Sequence, residues 1–156
     1  DLLITENFGS AGLRDLILRT LAPFGVEDGS RFRLAGPDVR LPPQVIIAYA
    51  LALHELATNA SKYGALSTDG GTVTIDWSVG HDGLVKLVWE ESGGPTVKPP
   101  TRTGFGTTII KRHATAAFSG TVDIDFRPGG LVWRMTVPRA NLERPDASEG
   151  LRDVPL

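Results

Sequence analysis

The middle of the chain holds a helical segment with an unusual concentration of polar side chains. The stretch HELATNASKYGALS (54–67) places Glu55, Asn59 and Lys62 four and three residues apart, so that on a helix they share one face. A carboxylate and an amide oxygen can hold Mg²⁺ directly or through water, and an ammonium can neutralise phosphate. The alternative is the solvated face of an amphipathic helix, which most charged stripes are.

Three histidines occur in the chain, and each has a structural interpretation. His54 lies about one residue off the polar stripe, and a single histidine on a mostly apolar helix is more often a hydrogen-bonded structural residue than a catalyst. His81 stands in the turn GHDG and is predicted to be exposed. His113 follows Lys111 and Arg112 on a predicted helix, where a packed or surface role is expected.

Two glycine clusters bracket one loop. ESGGP (91–95) follows a predicted strand, and GFG (104–106) precedes a predicted helix. Glycines let the backbone approach a ligand, and a helix that starts at Thr107 offers free N–H groups to phosphate. The P-loop pattern GxxxxGK[ST] is absent and no GxGxxG follows the first strand, which excludes both fingerprints. The alternative is a pair of ordinary turns.

The elements that must position these residues follow from hydrophobic periodicity and turn residues. The predicted helices, the first capped by Ser10, are 9–25, 43–63 and 107–118. The predicted strands are a short pair in RFRLAGPDVRLPP, then 71–79, 84–91 and a hairpin at 120–138. Because the strands cluster as antiparallel pairs, an α+β fold is favoured, with helices on one face of a mixed sheet.

Composition limits the function classes. A length of 156 residues with 41% hydrophobic content suits one domain. A net charge of −2 does not resemble the basic surface of a nucleic-acid binder. The absence of cysteine excludes disulfides, thiolate nucleophiles and cysteine zinc sites, and fits a cytoplasmic chain. No apolar run approaches the roughly 20 residues that span a bilayer. Because the first residue is Asp1, we expect a fragment.

Several ordered motifs resemble one family. HELATNASKYGALS resembles the N box of the GHKL ATPases in the form found in bacterial sensor histidine kinases. His54, together with Trp89 and Glu91 in WEESGGP, is similar to the markers of the HWE histidine kinases. TGFGTTII resembles the G2 box, and GGLVWRMTVP resembles the closing strand of the nucleotide site. The resemblance covers about residues 1–138.

The resemblance implies the Bergerat fold, an α+β two-layer sandwich with a mixed, mostly antiparallel sheet and a short ATP lid at about 95–103. The domain would span 1–138, and the polar tail 139–156 is expected to be loosely held. The implied cofactors are ATP and Mg²⁺. Pro95 stands where the family has a third glycine, which suggests a stiffer edge of the adenine pocket.

The resemblance also implies a role for each site residue. Glu55 would orient water or act as a general base, with His54 in support, and Asn59 would bind Mg²⁺. Lys62 would reach a phosphate and Tyr63 would lie near the nucleotide. The implied base contacts are Glu91 at the adenine amino group, Gly93 and Gly94 beside the ring, and Thr136 on the last strand. The implied phosphate contacts are Gly104, Phe105, Gly106 and Thr107, with Lys98 and Arg102 as lid candidates.

The implied function is transfer of the γ-phosphate of Mg·ATP to a histidine on a separate dimerisation domain, of which this chain shows no sign. The isolated chain would therefore bind ATP but phosphorylate itself poorly. The partners would be ATP, the acceptor domain and a response regulator, without nucleic acid or membrane contact, in a homodimeric full-length protein. The alternatives are a protein-serine kinase of the anti-sigma-factor type on the same fold and a non-catalytic nucleotide-binding module.

Overall fold

Five strands form the main sheet of the computed structural model, which describes residues 11–97 and 121–138. They are β2 (Phe32–Ala35), β4 (Thr72–Val79), β5 (Leu84–Ser92), β6 (Thr121–Arg127) and β7 (Gly130–Pro138). Their order is β2-β4-β5-β7-β6, in which β2 pairs with β4 in parallel and the other neighbours are antiparallel. The mixed, mostly antiparallel sheet that the sequence predicts is confirmed.

One face of this sheet is buried, because apolar residues alternate along each strand. In β5 the side chains of Val85, Leu87, Trp89 and Glu91 are buried, whereas Lys86 and Glu90, which alternate with them, are exposed. The buried side chains of the sheet belong to one core with those of the two helices, α1 (Leu13–Leu21) and α2 (Pro43–Tyr63). The described helices therefore lie on one face of the sheet, as predicted.

The long helix α2 begins and ends at the residues that the sequence predicts. Pro43 occupies the first helical position, where its missing N–H costs no hydrogen bond. The helix ends at Tyr63, and the amide of Gly64 donates to the carbonyl of Ala60. Neither α1 nor α2, the helices of the described ranges, combines the length and apolar character that a bilayer crossing needs.

The first helix is shorter than predicted. The sequence suggests a helix over 9–25 with Ser10 as its cap, but α1 begins at Leu13 and its cap residue is Gly12. The physical reason is that Ala11–Gly12 forms a short strand, β1, which pairs antiparallel with β3 (Arg40–Leu41). The end of the predicted segment forms a 3₁₀ turn (Ala22–Phe24) that stops at Gly25 in the left-handed conformation, and a second 3₁₀ turn (Val26–Asp28) follows it.

The two strands predicted in RFRLAGPDVRLPP do not pair with each other, so that prediction is wrong. β2 and β3 both exist, but β2 joins β4 in the main sheet and β3 joins β1 in a separate two-stranded sheet. The segment between them is held by Trp77, whose ring covers Gly36 and whose Nε1 donates to the carbonyl of Pro37 at 2.6 Å. The predicted helix 107–118 and the tail 139–156 lie outside the described residues.

Candidate functional site

The polar stripe of the central helix is present. Glu55, Asn59 and Lys62 all lie within the uninterrupted helix α2, so they share one face as predicted. Glu55 and Asn59 are half-buried and Lys62 is exposed, whereas the adjoining Leu56 and Ala60 are buried in the core. None of the three polar side chains is hydrogen-bonded to another described residue. The stripe therefore offers two side chains with oxygen atoms that could coordinate a cation, and one ammonium group, at the border between core and solvent.

Glu91 is the buried acidic side chain of the described core, with 4% of its surface exposed. The amide of Ala65 donates to its Oε1 at 3.0 Å, and Nε1 of Trp89 donates to its Oε2 at 2.9 Å. Burial raises the pKa of Glu91, and the two hydrogen bonds oppose that rise because they stabilise the ionised form. Each carboxylate oxygen is held by one donor and keeps capacity to accept another.

The spacing of Trp89 and Glu91 follows from the pleat of β5. Residues two apart on a strand face the same side, and both side chains lie on the buried face. The ring of Trp89 is fixed from β2, where the ring of Phe32 meets it edge to face with centroids 6.2 Å apart. The W-x-E pattern therefore places a rigid donor beside a buried carboxylate.

Gly64 and Gly94 allow two backbone segments to meet at Glu91. A Cβ on Gly64 would collide with Oε1 of Glu91, and a Cβ on Gly94 would lie 2.7 Å from Cα of Ala65. Gly93 between them has a φ of +77°, which favours glycine. The sequence predicts that Gly93 and Gly94 admit a ligand ring. In the structure both also pack against the turn 64–71 that follows α2.

Arg31 is part of this arrangement, and the motifs did not single it out. Its Nε donates to the carbonyl of Gly71 at 2.8 Å, and its Nη2 donates to the carbonyls of Ala65 at 3.2 Å and Thr68 at 2.6 Å. From the alternation in RFRL (31–34), the sequence predicts only that Arg31 lies on the polar side of a strand, opposite Phe32. No local pattern marks this role, because its partners lie 34 to 40 residues further along the chain.

His54 is exposed and packs against an aromatic ring. Its imidazole meets Phe24 edge to face, with ring centroids 5.6 Å apart and an angle of 72° between the planes. Its carbonyl accepts a 2.8 Å hydrogen bond from Oγ1 of Thr58. The imidazole contact with Phe24 is compatible with the structural interpretation, and the supporting catalytic role that the resemblance implies for His54 stays a prediction.

Two predicted nucleotide contacts lie at the margin of this arrangement or outside it. Tyr63 is 74% exposed at the end of α2. Thr136 pairs with Lys86 and Thr121 and alternates with the buried Met135 and Val137, so it lies on the opposite face of the sheet from Glu91.

Distance along the strand separates Thr136 from Glu91 as well. Lys86, its partner, stands five residues before Glu91 on β5, or roughly 16 Å along a strand. The structure therefore does not bring Thr136 together with Glu91.

The second glycine cluster and the lid lie outside the described residues. This applies to the predicted phosphate and lid contacts Lys98, Arg102, Gly104, Phe105, Gly106 and Thr107. In the described ranges, no group of three or more histidine and acidic side chains could hold a metal ion by itself. A cation on the stripe would depend on Glu55, Asn59 and oxygens that a ligand supplies.

Comparison with known proteins gives sequence relatives over most of the chain. No family model matches. The chain is 39% identical over 141 residues to a blue-light-activated histidine kinase of Brucella anthropi, a match that covers 88% of this chain and 29% of that protein. It is 42% identical over 133 residues to blue-light-activated histidine kinase 1 of Erythrobacter litoralis, covering 83% and 36%. The chain thus spans about a third of the curated relatives it matches.

Solved structures share the fold. The histidine kinase domain of the Erythrobacter litoralis EL346 blue-light-activated histidine kinase superposes with a TM-score of 0.68 at 16% identity, covering 86% of this chain and 70% of that one. The catalytic domain of the histidine kinase ThkA superposes with a TM-score of 0.63 at 17% identity, covering 85% and 97%. These neighbours establish the fold class that the sequence predicts.

Proposed function

We propose that this chain, which is homologous to histidine kinases, is the ATP-binding catalytic domain of a two-component sensor histidine kinase. In this proposal it binds Mg·ATP and presents the γ-phosphate to a histidine on a separate dimerisation domain. The relatives reported above are histidine kinases, so nothing favours the serine-kinase alternative. The single observation that supports the proposal most strongly is the buried, doubly hydrogen-bonded carboxylate of Glu91.

Glu91 supports recognition of the adenine base. A carboxylate held by Ala65 and Trp89 cannot turn away, and its free lone pairs can accept the exocyclic amino group of adenine. A site built to accept a hydrogen bond from a ligand discriminates against analogues that lack the donor, because a buried acceptor is then left without a partner. Adenine selectivity is therefore the property that this carboxylate would confer.

The stripe on α2 supports the phosphate end of the ligand. The half-buried oxygens of Glu55 and Asn59 suit a hard cation, which prefers oxygen ligands and keeps several waters. Bound Mg²⁺ would neutralise phosphate charge, Asn59 would hold it, and Lys62 would contact a phosphate. Glu55 would orient water or act as a general base. Phosphoryl transfer depends mainly on such positioning and charge stabilisation.

The rest of the proposal concerns the longer protein. Its acceptor histidine domain and a downstream response regulator are the proposed partners, with a homodimer as the proposed assembly and the cytoplasm as the proposed location. Residues 1–138 would be the catalytic domain and 139–156 a loosely held tail.

Calorimetric titration with Mg·ATP tests the proposed site. The unaltered chain should bind Mg·ATP, and Asn59→Ala should lose at least about tenfold in affinity, because it removes a cation ligand. Ser61→Ala, an exposed position on the same helix, is the matched control and should bind as the unaltered chain does. Equal affinity of Asn59→Ala and the unaltered chain would show that the site assignment is wrong.

Incubation with γ-labelled ATP tests the transfer step. The isolated chain should acquire little acid-labile label, because the acceptor histidine is proposed to lie on another domain. Adding a histidine-bearing dimerisation domain from the longer protein should produce acid-labile label on that domain. Strong label on the isolated chain would contradict the proposed division of roles.

A further inference from the structure

The turn at 64–71 contacts all three residues of the proposed base site on the strand end after Trp89, namely Glu91, Gly93 and Gly94. Its Ala65 amide holds Oε1 of Glu91 at 3.0 Å. Oγ1 of Thr68 donates to the carbonyl of Gly93 at 3.1 Å, and the backbone of Ala65 packs against Gly94. Whatever fixes this turn therefore also fixes the orientation of the Glu91 carboxylate.

Arg31 is the side chain that fixes the turn. Its guanidinium donates to three carbonyls, those of Ala65, Thr68 and Gly71, which span the turn from its beginning to its end. The guanidinium is planar, always charged and has five donors in a rigid arrangement, so it can hold several acceptors in one geometry. Its own backbone is tied to the same region, because the amide of Val73 donates to the carbonyl of Arg31 at 2.8 Å.

We propose that Arg31 is a positioning residue for base recognition, which acts on Glu91 through the backbone of Ala65. The inference rests on the proposed function, since it assumes that Glu91 receives the adenine amino group. Arg31 makes no hydrogen bond to Glu91 itself, so its effect passes through the turn. It would sharpen selectivity for adenine without touching the nucleotide.

Strand β2, which begins directly after Arg31, provides a matched control for it. Arg33 lies in this strand, is exposed, and has no hydrogen bond or ion pair to any other described residue. Arg33→Met removes the same side chain and charge as Arg31→Met, but it leaves the turn intact. A difference between the two variants therefore reports the carbonyl contacts and not the net charge.

The experiment compares the affinity for ATP with that for purine riboside triphosphate, which lacks the 6-amino group. Arg31→Met should lose about tenfold in ATP affinity, the scale of one lost charged hydrogen bond, and should bind the analogue as before. Its selectivity ratio should therefore fall by about tenfold, and that of Arg33→Met should not change. If Arg31→Met loses affinity equally for ATP and for the analogue, or loses affinity for neither, the ratio of the two affinities is unchanged and the inference is overturned.

Glu91→Met separates this inference from the function beneath it, because it keeps the length of the side chain but removes both acceptor oxygens. If Glu91→Met keeps the selectivity of the unaltered chain, the proposed adenine contact is wrong and the inference falls with it. If Glu91→Met loses selectivity but Arg31→Met retains it, the adenine contact stands and only the role of Arg31 is refuted. Loss of selectivity in both variants supports both proposals.

A spectroscopic measurement covers the case in which Arg31→Met does not fold. Arg31→Lys keeps the charge but not the planar arrangement, so it should lose a smaller part of the selectivity, about threefold. The indole N–H of Trp89 reports the carboxylate of Glu91 directly. Its ¹H–¹⁵N cross-peak should move in Arg31→Lys and stay in place in Arg33→Met. An unmoved cross-peak together with unchanged selectivity in Arg31→Lys would refute the role.

Discussion

The indole nitrogen of Trp89 donates a 2.9 Å hydrogen bond to Oε2 of Glu91, two residues further along the same strand. Both side chains are buried, and the carboxylate receives its other hydrogen bond from the amide of Ala65. The pair gives the W-x-E pattern a physical meaning, because Glu91 supplies a buried carboxylate and Trp89 donates the hydrogen bond that stabilises its negative charge.

Trp89→Phe removes this donor and keeps an aromatic ring. The variant should be destabilised by about 1–3 kcal/mol, because a buried charged acceptor loses a partner, and its selectivity for adenine should fall. Trp77→Phe is the control, since it deletes an indole hydrogen bond to Pro37 away from Glu91. It should lose stability but keep its selectivity, as measured by denaturant unfolding and nucleotide titration. Full selectivity in Trp89→Phe would contradict the proposed coupling.

The pH dependence of stability should carry the signature of Glu91. Because burial raises its pKa in the folded chain above the ordinary value of 4.5, the folded chain binds more protons than the unfolded chain as the pH rises from about 4.5 to the raised pKa. Its contribution to the free energy of unfolding should therefore fall with rising pH across that window and level off above it.

Denaturant unfolding at a series of pH values checks this sign. The difference in unfolding free energy between the unaltered chain and Glu91→Gln should decline above about pH 4.5. A difference that grows with pH would mean that the hydrogen bonds from Ala65 and Trp89 outweigh burial, and that the pKa is lowered.

Gly94→Ala should disturb the base site through backbone packing. The added Cβ would lie 2.7 Å from Cα of Ala65, and such overpacking costs typically about 1–3 kcal/mol. Gly70→Ala, at the far side of the same turn, meets no atom within 4 Å and should have little effect. Thermal unfolding and ATP titration compare the two. Unaltered stability and affinity in Gly94→Ala would show that the two segments separate easily.

His54→Ala should affect stability more than nucleotide binding. The lost ring contact with Phe24 is worth about 0.5–1.5 kcal/mol, and the proposed ATP contacts of Asn59 and Glu91 remain. Phe24→Ala should lose stability for the same reason, and the double variant should show that the two losses are coupled. A fall in Mg·ATP affinity of tenfold or more in His54→Ala would instead support the catalytic role that the family resemblance implies.

The regular elements could be predicted from the sequence because their periodicity is strong. The bounds of α2, the alternation in β4 and β5, and the hairpin of β6 and β7 are confirmed. The resemblance to histidine kinases, read from HELATNASKYGALS and WEESGGP, is confirmed by the relatives. The roles of Asn59, Lys62 and Glu91 in nucleotide binding stay predictions.

What the sequence could not predict depends on distant pairing. β2 and β3 are separated by four residues but join different sheets, because their partners lie elsewhere in the chain. Arg31 looks like a solvent-facing strand residue until the turn at 64–71 is placed beside it. For Thr136 a signal was available, since its position between Met135 and Val137 already assigns it to the other face of the strand.

The direct continuation of α2 into the turn at 64–71 has an evolutionary consequence. Asn59 and Ala65, which serve the two ends of the proposed ligand, are joined by five intervening residues of unbroken chain. One inserted residue there would rotate the Glu55 face by about 100° relative to the turn. The length of this chain segment thus fixes the distance between the base end and the phosphate end of the proposed site. Insertions and deletions should therefore be tolerated in the hairpin at His81 but not between Asn59 and Ala65.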